Sequence, residues 1–383
     1  MSILFEPLTI GRMEIQNRFV RSATYFGLAD ANGCIGDTSV QLMKALAANR
    51  VGLIMSGYAY VNRTGQVFAD MNGIDADEQI PGYQRMTHAV HDEGGRICMQ
   101  IAHGGVASTA AVARGERHLV VSARDARAGS SVKTVMSDAD IESIIDDFGQ
   151  AARRVQEAGF DGVQIHGAHG YLVTQFLSPS SNRRDDRWGG SLQNRMRFVL
   201  EVVRAIQRNV TADFPIMIKL GCRDYLDAGQ GFTIEEGAEV AAALEREGVC
   251  FIEVSHGVGG RAFSKVSRGK ESKPIREAYL VPDAEIIRQA TTVPLAVVGG
   301  MRSLPVMESV LEAGTADCIA LCRPLIRQPD LVQRWAEGYA QPADCVSCFA
   351  CLKTDKDGNS DVQCREILKK QKKKKRKAVA GSH

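Results

Sequence analysis

Short apolar runs recur along the chain with longer amphipathic stretches between them, and this alternation predicts the fold. The runs Arg18–Arg21, Gly52–Met55, Ile97–Ile101, Val163–Ile165, Ile216–Leu220, Phe251–Val254, Leu295–Val298 and Cys318–Leu321 each have the length of a strand. Most are continuously apolar rather than alternating, as in strands buried on both faces. Between them, Ser137-x-x-Asp140 and Thr233-x-x-Glu236 read as capping boxes. Ile141, Ile144, Ile145 and Phe148 keep helical spacing. Ala158-Gly159, Glu247-Gly248 and Ala313-Gly314 each end a helix just before the next strand, as glycine past a helix terminus does. Eight strands, each followed by a helix, predict an α/β protein of the (β/α)8 barrel class. The barrel is expected over residues 1–340, a short cysteine-containing extension over 341–366, and a basic, disordered tail over 367–383.

In such a barrel the side chains at the C-terminal strand ends face the active site, so those ends are where chemistry is sought. The stretch Asp161–Gly190 stands out. Its strand is expected to stop at His166, and His169 and Tyr171 follow within six residues. Two imidazoles can each donate a ring N–H to one oxygen, and a phenol can hand over a proton. One such residue would be an ordinary loop side chain; three together furnish a cavity.

Other strand ends add to this. Gln100 and Lys219 interrupt apolar strands, and a buried amide or ammonium needs a partner. Gly299 and Gly300 close the seventh strand, while Cys322 and Arg323 close the eighth. Barrels frequently bind phosphate between the loops after these two strands. Of two long loops, Ala107–Val135 is a candidate lid or interface arm, and Gly257–Val281 is basic and Gly-rich.

Composition narrows the function classes. The chain has 383 residues, 44% hydrophobic and 24% charged, as in a soluble globular protein. Its formal charge is +2, but Lys369–Lys377 contributes eight positive charges, so the body is mildly acidic and presents no basic face for nucleic acid. The N-terminus, with Glu6 and Pro7, lacks the apolar run of a signal peptide, and no stretch is long enough to cross a bilayer. Six of the ten cysteines are scattered, which is the usage of a cytoplasmic protein.

The ordered series His166-x-x-His169-Gly170-Tyr171-Leu172, Gln175 to Pro179, Ser181-Asn182-Arg183, Asp186, Trp188-Gly189-Gly190 and Asn194-Arg195 resembles the old yellow enzyme family of FMN-dependent oxidoreductases. The resemblance is colinear from Pro7 to about Arg323. It implies that Ser22, Ala23 and Thr24 meet the flavin edge, with Ala23 and Tyr25 departing from the family pattern. It implies that Gly57 leaves room for the ring, that Gln100 meets its pyrimidine edge, and that Lys219 stands where relatives commonly place arginine against N1 and O2. Ser255 would line the same cavity, and Gly299, Gly300, Cys322 and Arg323 would hold the FMN phosphate. NAD(P)H would supply reducing equivalents. His166 and His169 would grip the carbonyl of an electron-poor alkene, an enone or enoyl type, and Tyr171 would protonate its α carbon. Relatives of this kind often form homo-oligomers.

Two alternatives stay open. Cys345, Cys348, Cys351 and Cys364 could hold a [4Fe–4S] cluster or zinc, which resembles the barrel part of 2,4-dienoyl-CoA reductase and trimethylamine dehydrogenase. The chain would then be a flavin and iron–sulfur dehydrogenase of the trimethylamine type. A barrel-strand lysine such as Lys219 could instead form a Schiff base in an aldolase or lyase. The physiological substrate and the choice of NADH or NADPH cannot be read from these residues.

Overall fold

Parallel hydrogen bonding closes the eight apolar runs into a ring. The computed structural model describes residues 2–122, 133–226, 231–259, 267, 276–352 and 362–371. The strands are β1 (Phe19–Arg21), β2 (Leu53–Met55), β3 (Ile97–Ala102), β4 (Gly162–Gly167), β5 (Ile216–Gly221), β6 (Phe251–Ser255), β7 (Leu295–Val298) and β8 (Cys318–Leu321). Each pairs in parallel with its successor, and β8 pairs back to β1. The expected (β/α)8 barrel is therefore present. Helices α1 (Asp37–Ala48), α2 (Ile80–His91), α3 (Asp138–Glu157), α4 (Leu192–Asn209), α5 (Ile234–Arg246), α6 (Val281–Ala290) and α7 (Leu304–Glu312) follow the first seven strands in turn.

Local signals explain the helix ends. Ser137 and Thr233 each accept a backbone N–H from the third residue of their helix, and Asp140 and Glu236 reach back, completing both capping boxes. Gly159, Gly248 and Gly314 lie in the left-handed region at φ +81°, +96° and +69°, where a side chain would be strained.

The N-terminal mouth of the barrel is plugged. An antiparallel hairpin, Leu8–Ile10 with Met13–Ile15, turns at Gly11 with φ +57°. Its Ile10, Met13 and Ile15 pack against the inward side chains Met217, Phe251 and Cys318. The sequence reading missed this hairpin, because three-residue strands are too short to show alternation. Among the described residues no helix is long and apolar enough to cross a membrane.

The loop Ala107–Val135 carries structure of its own in its described part. His118–Val120 pairs in parallel with Lys133–Val135. Residues 123–132, most of Gly257–Val281 and the tail beyond residue 371 lie outside the described residues, so the lid and tail expectations fall largely there.

Candidate active site

Strand register sets the floor of the C-terminal mouth. Gln164 is paired with Gln100, His166 with Lys219, and Lys219 with Glu253. Alternation turns these side chains inward, and Gln100, Gln164, Lys219 and Glu253 form one buried network. Lys219 Nζ donates to Ser22 Oγ at 2.8 Å and lies 3.2 Å from Glu253 Oε1. Ser22 Oγ donates to the same carboxylate oxygen at 2.6 Å. Gln164 Nε2 donates to Glu253 Oε2 at 3.1 Å, and Gln100 Nε2 donates to Gln164 Oε1 at 2.7 Å. The sequence reading expected a ligand to supply the anion for Lys219. The chain supplies it itself through Glu253, which is fully buried. Glu253 was missed because its apolar neighbours disguised it as core.

The other side of the cavity belongs to the His-x-x-His-Gly-Tyr segment. β4 runs through His166 rather than stopping there, so that ring is fixed by the ladder. His166 Nδ1 is buried with no hydrogen-bond partner among the described residues. His169 takes φ +61°, an uncommon conformation for a side-chain-bearing residue. Its N–H donates to His256 O at 3.0 Å, and its Nε2 lies 2.8 Å from Ser255 Oγ. The ring centroids of His166 and His169 are 5.2 Å apart, and His166 and Tyr171 4.7 Å apart. The His256 ring lies tilted 4.7 Å from that of His169, adding a third imidazole.

Burial favours the neutral form of His166 and His256. Burial, then the Lys219 charge and His256, hold His166 well below the ordinary histidine range. Dehydration and the neighbouring His256, His166 and Lys219 act on His169 in the same direction, although that residue opens to solvent at the rim. Burial brings His256 down to about 4. Neutral imidazoles can donate one ring N–H without carrying charge.

Tyr171 donates to the hydroxyl of Tyr58 at 3.1 Å, and the two rings meet edge to face at 5.7 Å. Tyr58 also lies 5.7 Å from the His166 ring. It directly follows Gly57. Gly57 itself has a packing reason: a Cβ there would lie 2.5 Å from the Phe26 ring and 3.0 Å from Thr24 O. Ala23 and Thr24 follow β1 half-buried, beside Ser22.

A third group gathers after β7 and β8. Gly299 and Gly300 take φ +143° and +75°, conformations that residues with a side chain rarely adopt. Arg323 Nη1 is buried without a partner among the described residues, and its guanidinium sits 4.1 Å over the Phe349 ring. Gly300, Cys322, Arg323, Cys345 and Ser347 line one cleft. The C-terminal extension thus forms a wall of this cleft, which spacing could not foretell.

The profile of the NADH:flavin oxidoreductase / NADH oxidase family matches residues 3–341. The chain belongs to that family. It is 33% identical over 352 residues to an NADH oxidase from Thermoanaerobacter brockii, covering 91% of this chain and 53% of that protein. It is 34% identical over 329 residues to an NADPH dehydrogenase from Geobacillus sp. (strain WCH70), covering 86% and 92%. The solved old yellow enzyme homologue from Zymomonas mobilis matches with a TM-score of 0.75 and 26% identity, covering 94% of this chain and 99% of that one. The chain spans about half the length of the NADH oxidase.

Within this flavin oxidoreductase family member, the motif that carried the resemblance divides in two. His166, His169 and Tyr171 cluster ring against ring, whereas Asn182, Trp188 and Arg195 bond to the scaffold. Asn182 Nδ2 donates to Phe176 O and Trp188 O at 2.8 and 2.7 Å, and Trp188 Nε1 donates to Asp138 Oδ1 at 2.7 Å. Arg195 is buried against Glu236.

The cysteines do not fit a metal centre. Cys345, Cys348, Cys351 and Cys364 line one cleft beside Arg323 and Arg327. Among the described residues, however, no group of three or more His, Cys, Asp and Glu is arranged to hold a metal ion. Arg327 Nη1 points at Cys364 Sγ from 3.7 Å. Burial pushes the Cys351 thiol up to about 12 and raises Cys345 as well.

Proposed function

We propose that this chain is an FMN-dependent oxidoreductase that uses NAD(P)H to reduce the C=C bond of an electron-poor alkene of the enone or enoyl type. The observation that carries the reading is His166: a neutral imidazole nitrogen, buried and unpaired, beside His169 and Tyr171 and above a buried lysine. A buried polar atom left without a partner costs about 1–3 kcal/mol, and a ligand carbonyl would remove that cost.

The residues fit FMN. Arg323 Nη1, unpaired beside Gly299 and Gly300, suits a phosphate, which arginine binds through paired N–H donors. Ser22, Ala23, Thr24, Gly57, Gln100, Lys219 and Ser255 would hold the flavin ring, and Cys322 would stand at the phosphate cleft. Lys219 has three N–H donors and directs two at Ser22 and Glu253, leaving the third for the ring. When bound, FMN would supply the hydride acceptor and donor that ordinary side chains lack.

His166 and His169 hold the substrate carbonyl oxygen, and their N–H groups stabilise negative charge as it develops there. Tyr171 holds the proton destined for the α carbon. The Schiff-base reading of Lys219 loses ground, because an amine nucleophile must be neutral and Lys219 is paired with Glu253. The iron–sulfur dehydrogenase reading loses its donor set.

Anaerobic stopped-flow bleaching of the flavin by NADH and by NADPH, followed by reoxidation with enones and enoyl thioesters, tests the proposal. A colourless protein that refuses added FMN would end it.

A further inference from the structure

Tyr58 has no role in the chemistry so far described, yet its hydroxyl is one of the nearest polar groups to the proton donor. The Tyr171 hydroxyl donates to it at 3.1 Å, and the T-shaped contact between the rings fixes that approach. Tyr58 is held from the other side by Tyr25, 6.4 Å away between centroids, and Tyr25 is bonded through its own hydroxyl to Asp70. Resting on the ene-reductase reading above, we propose that Tyr58 is the second half of a two-phenol acid, donating to Tyr171 as Tyr171 gives its proton to the substrate.

The step balances as follows. Enolate electrons form the new C–H bond at the α carbon while the Tyr171 O–H bond breaks. The Tyr171 oxygen becomes a phenolate and turns from donor to acceptor. The Tyr58 O–H then rotates to face it, or passes its proton across, and water returns one proton to the pair. A hydrogen bond to an ionised oxygen is about twice as strong as one between neutral groups, so the Tyr58 hydroxyl favours the product side of the transfer. The surroundings agree with that division of labour. Burial raises both phenols, but the hydrogen bond shared with Tyr58 pulls Tyr171 back down, whereas Tyr58 is pushed further up by Tyr171. Tyr171 is thus the group that gives up a proton, and Tyr58 the one that keeps its own until the phenolate forms.

Two measurements on the FMN-loaded enzyme test this. In the first, single-turnover reoxidation by 2-cyclohexenone is followed in the wild type, Tyr171→Phe, Tyr58→Phe and the double variant, with reoxidation by oxygen as a control that needs no proton from Tyr171. Tyr58→Phe is expected to slow the enone reaction about tenfold with the oxygen reaction unchanged. The double variant should be no slower than Tyr171→Phe. A curved proton inventory in mixed light and heavy water should become linear in Tyr58→Phe. In the second, ultraviolet difference titration of the protein against its Tyr171→Phe version isolates Tyr171 ionisation. Removing the Tyr58 hydroxyl should move that ionisation upward by about one pH unit, the equivalent of tenfold.

Equal slowing of the enone and oxygen reactions, or an unmoved Tyr171 ionisation, would overturn the role of Tyr58 and leave the ene-reductase reading standing. If Tyr171→Phe itself turned over enone at the wild-type rate, the assignment of Tyr171 as the acid would fall, and that of Tyr58 with it.

Discussion

At the N-terminal end of the barrel, Cys98, Met217 and Phe251 interlock under an apolar hairpin. Two residues further along the same strands stand Gln100, Lys219 and Glu253, bonded to one another through Ser22 and Gln164. Side chains two apart on a strand point the same way, so both layers fill the same cylinder from the same ladder. One layer gains from removing apolar area from water, roughly 25 cal/mol per Å². The other must first offset the dehydration of two charges, and it does so only because every partner is in place. A single repeat of the strand period therefore separates a layer that makes the fold from one that prepares it for a ligand.

The sharpest way to break this contrast is to cut each layer once. Phe251→Ala leaves a cavity in the apolar layer and should cost about 3–5 kcal/mol. Lys219→Met strands Glu253 without its cation and should cost a similar amount, about 3–5 kcal/mol. Pairing it with Glu253→Met should recover part of that loss, since no charge is left unpaired, although Gln164 Nε2 and Ser22 Oγ lose their acceptor. Urea unfolding of the three proteins checks this. A double variant as unstable as Lys219→Met alone would mean that the polar layer is held by more than its ion pair.

A smaller effect is expected at Arg323, whose unpaired Nη1 contributes to binding rather than to folding. Arg323→Ala should weaken FMN retention by about ten- to a hundredfold, the worth of a charge-assisted hydrogen bond, with little change in the unfolding midpoint of the flavin-free protein. Fluorescence titration with FMN measures the first quantity and calorimetry the second. Loss of stability without loss of affinity would assign Arg323 to its stack on Phe349 instead.

The same contrast explains what could be read in advance. The apolar layer announces itself, because strands buried on both faces are runs of apolar residues, and the eight strands lie within two residues of the expected limits at every end. Histidine and tyrosine at a strand end are legible because neither belongs in a run. Glu253 was not, since one carboxylate amid Phe251, Ile252 and Val254 acquires meaning only when the register sets it beside Lys219. Tyr58 was not, since a tyrosine before Ala59 and Tyr60 looks like packing until its hydroxyl meets one 113 residues away in sequence. The wall that Cys345 and Ser347 give to the Arg323 cleft depends on where the extension folds back, and spacing carries no record of that.

The gentlest probe of the contrast is acid, because the apolar layer has nothing to titrate between pH 7 and 5. Burial holds His103 down to about 3 and His256 down to about 4, and it depresses His166 strongly as well. In the unfolded chain the same side chains ionise near 6.5. Above that pH neither state binds the protons and stability is unaffected. As the pH falls below about 6.5, the unfolded chain takes up protons that the folded barrel refuses, and stability declines until the folded values are reached. Each ring adds a slope of up to about 1.4 kcal/mol per pH unit in that window. Depressed carboxylates such as Asp140, held at about 2, act only at lower pH, whereas burial raises Asp224 and Asp283, which oppose the decline. Urea midpoints at pH 7, 6 and 5 should therefore fall steadily, and His256→Asn should flatten the decline by up to one ring's share. Bound ligand at the mouth should leave the slope in place while raising the whole curve. A profile without slope between pH 6.5 and 5 would mean that the imidazoles are hydrated, and the mouth would then be an open rim rather than a prepared cavity.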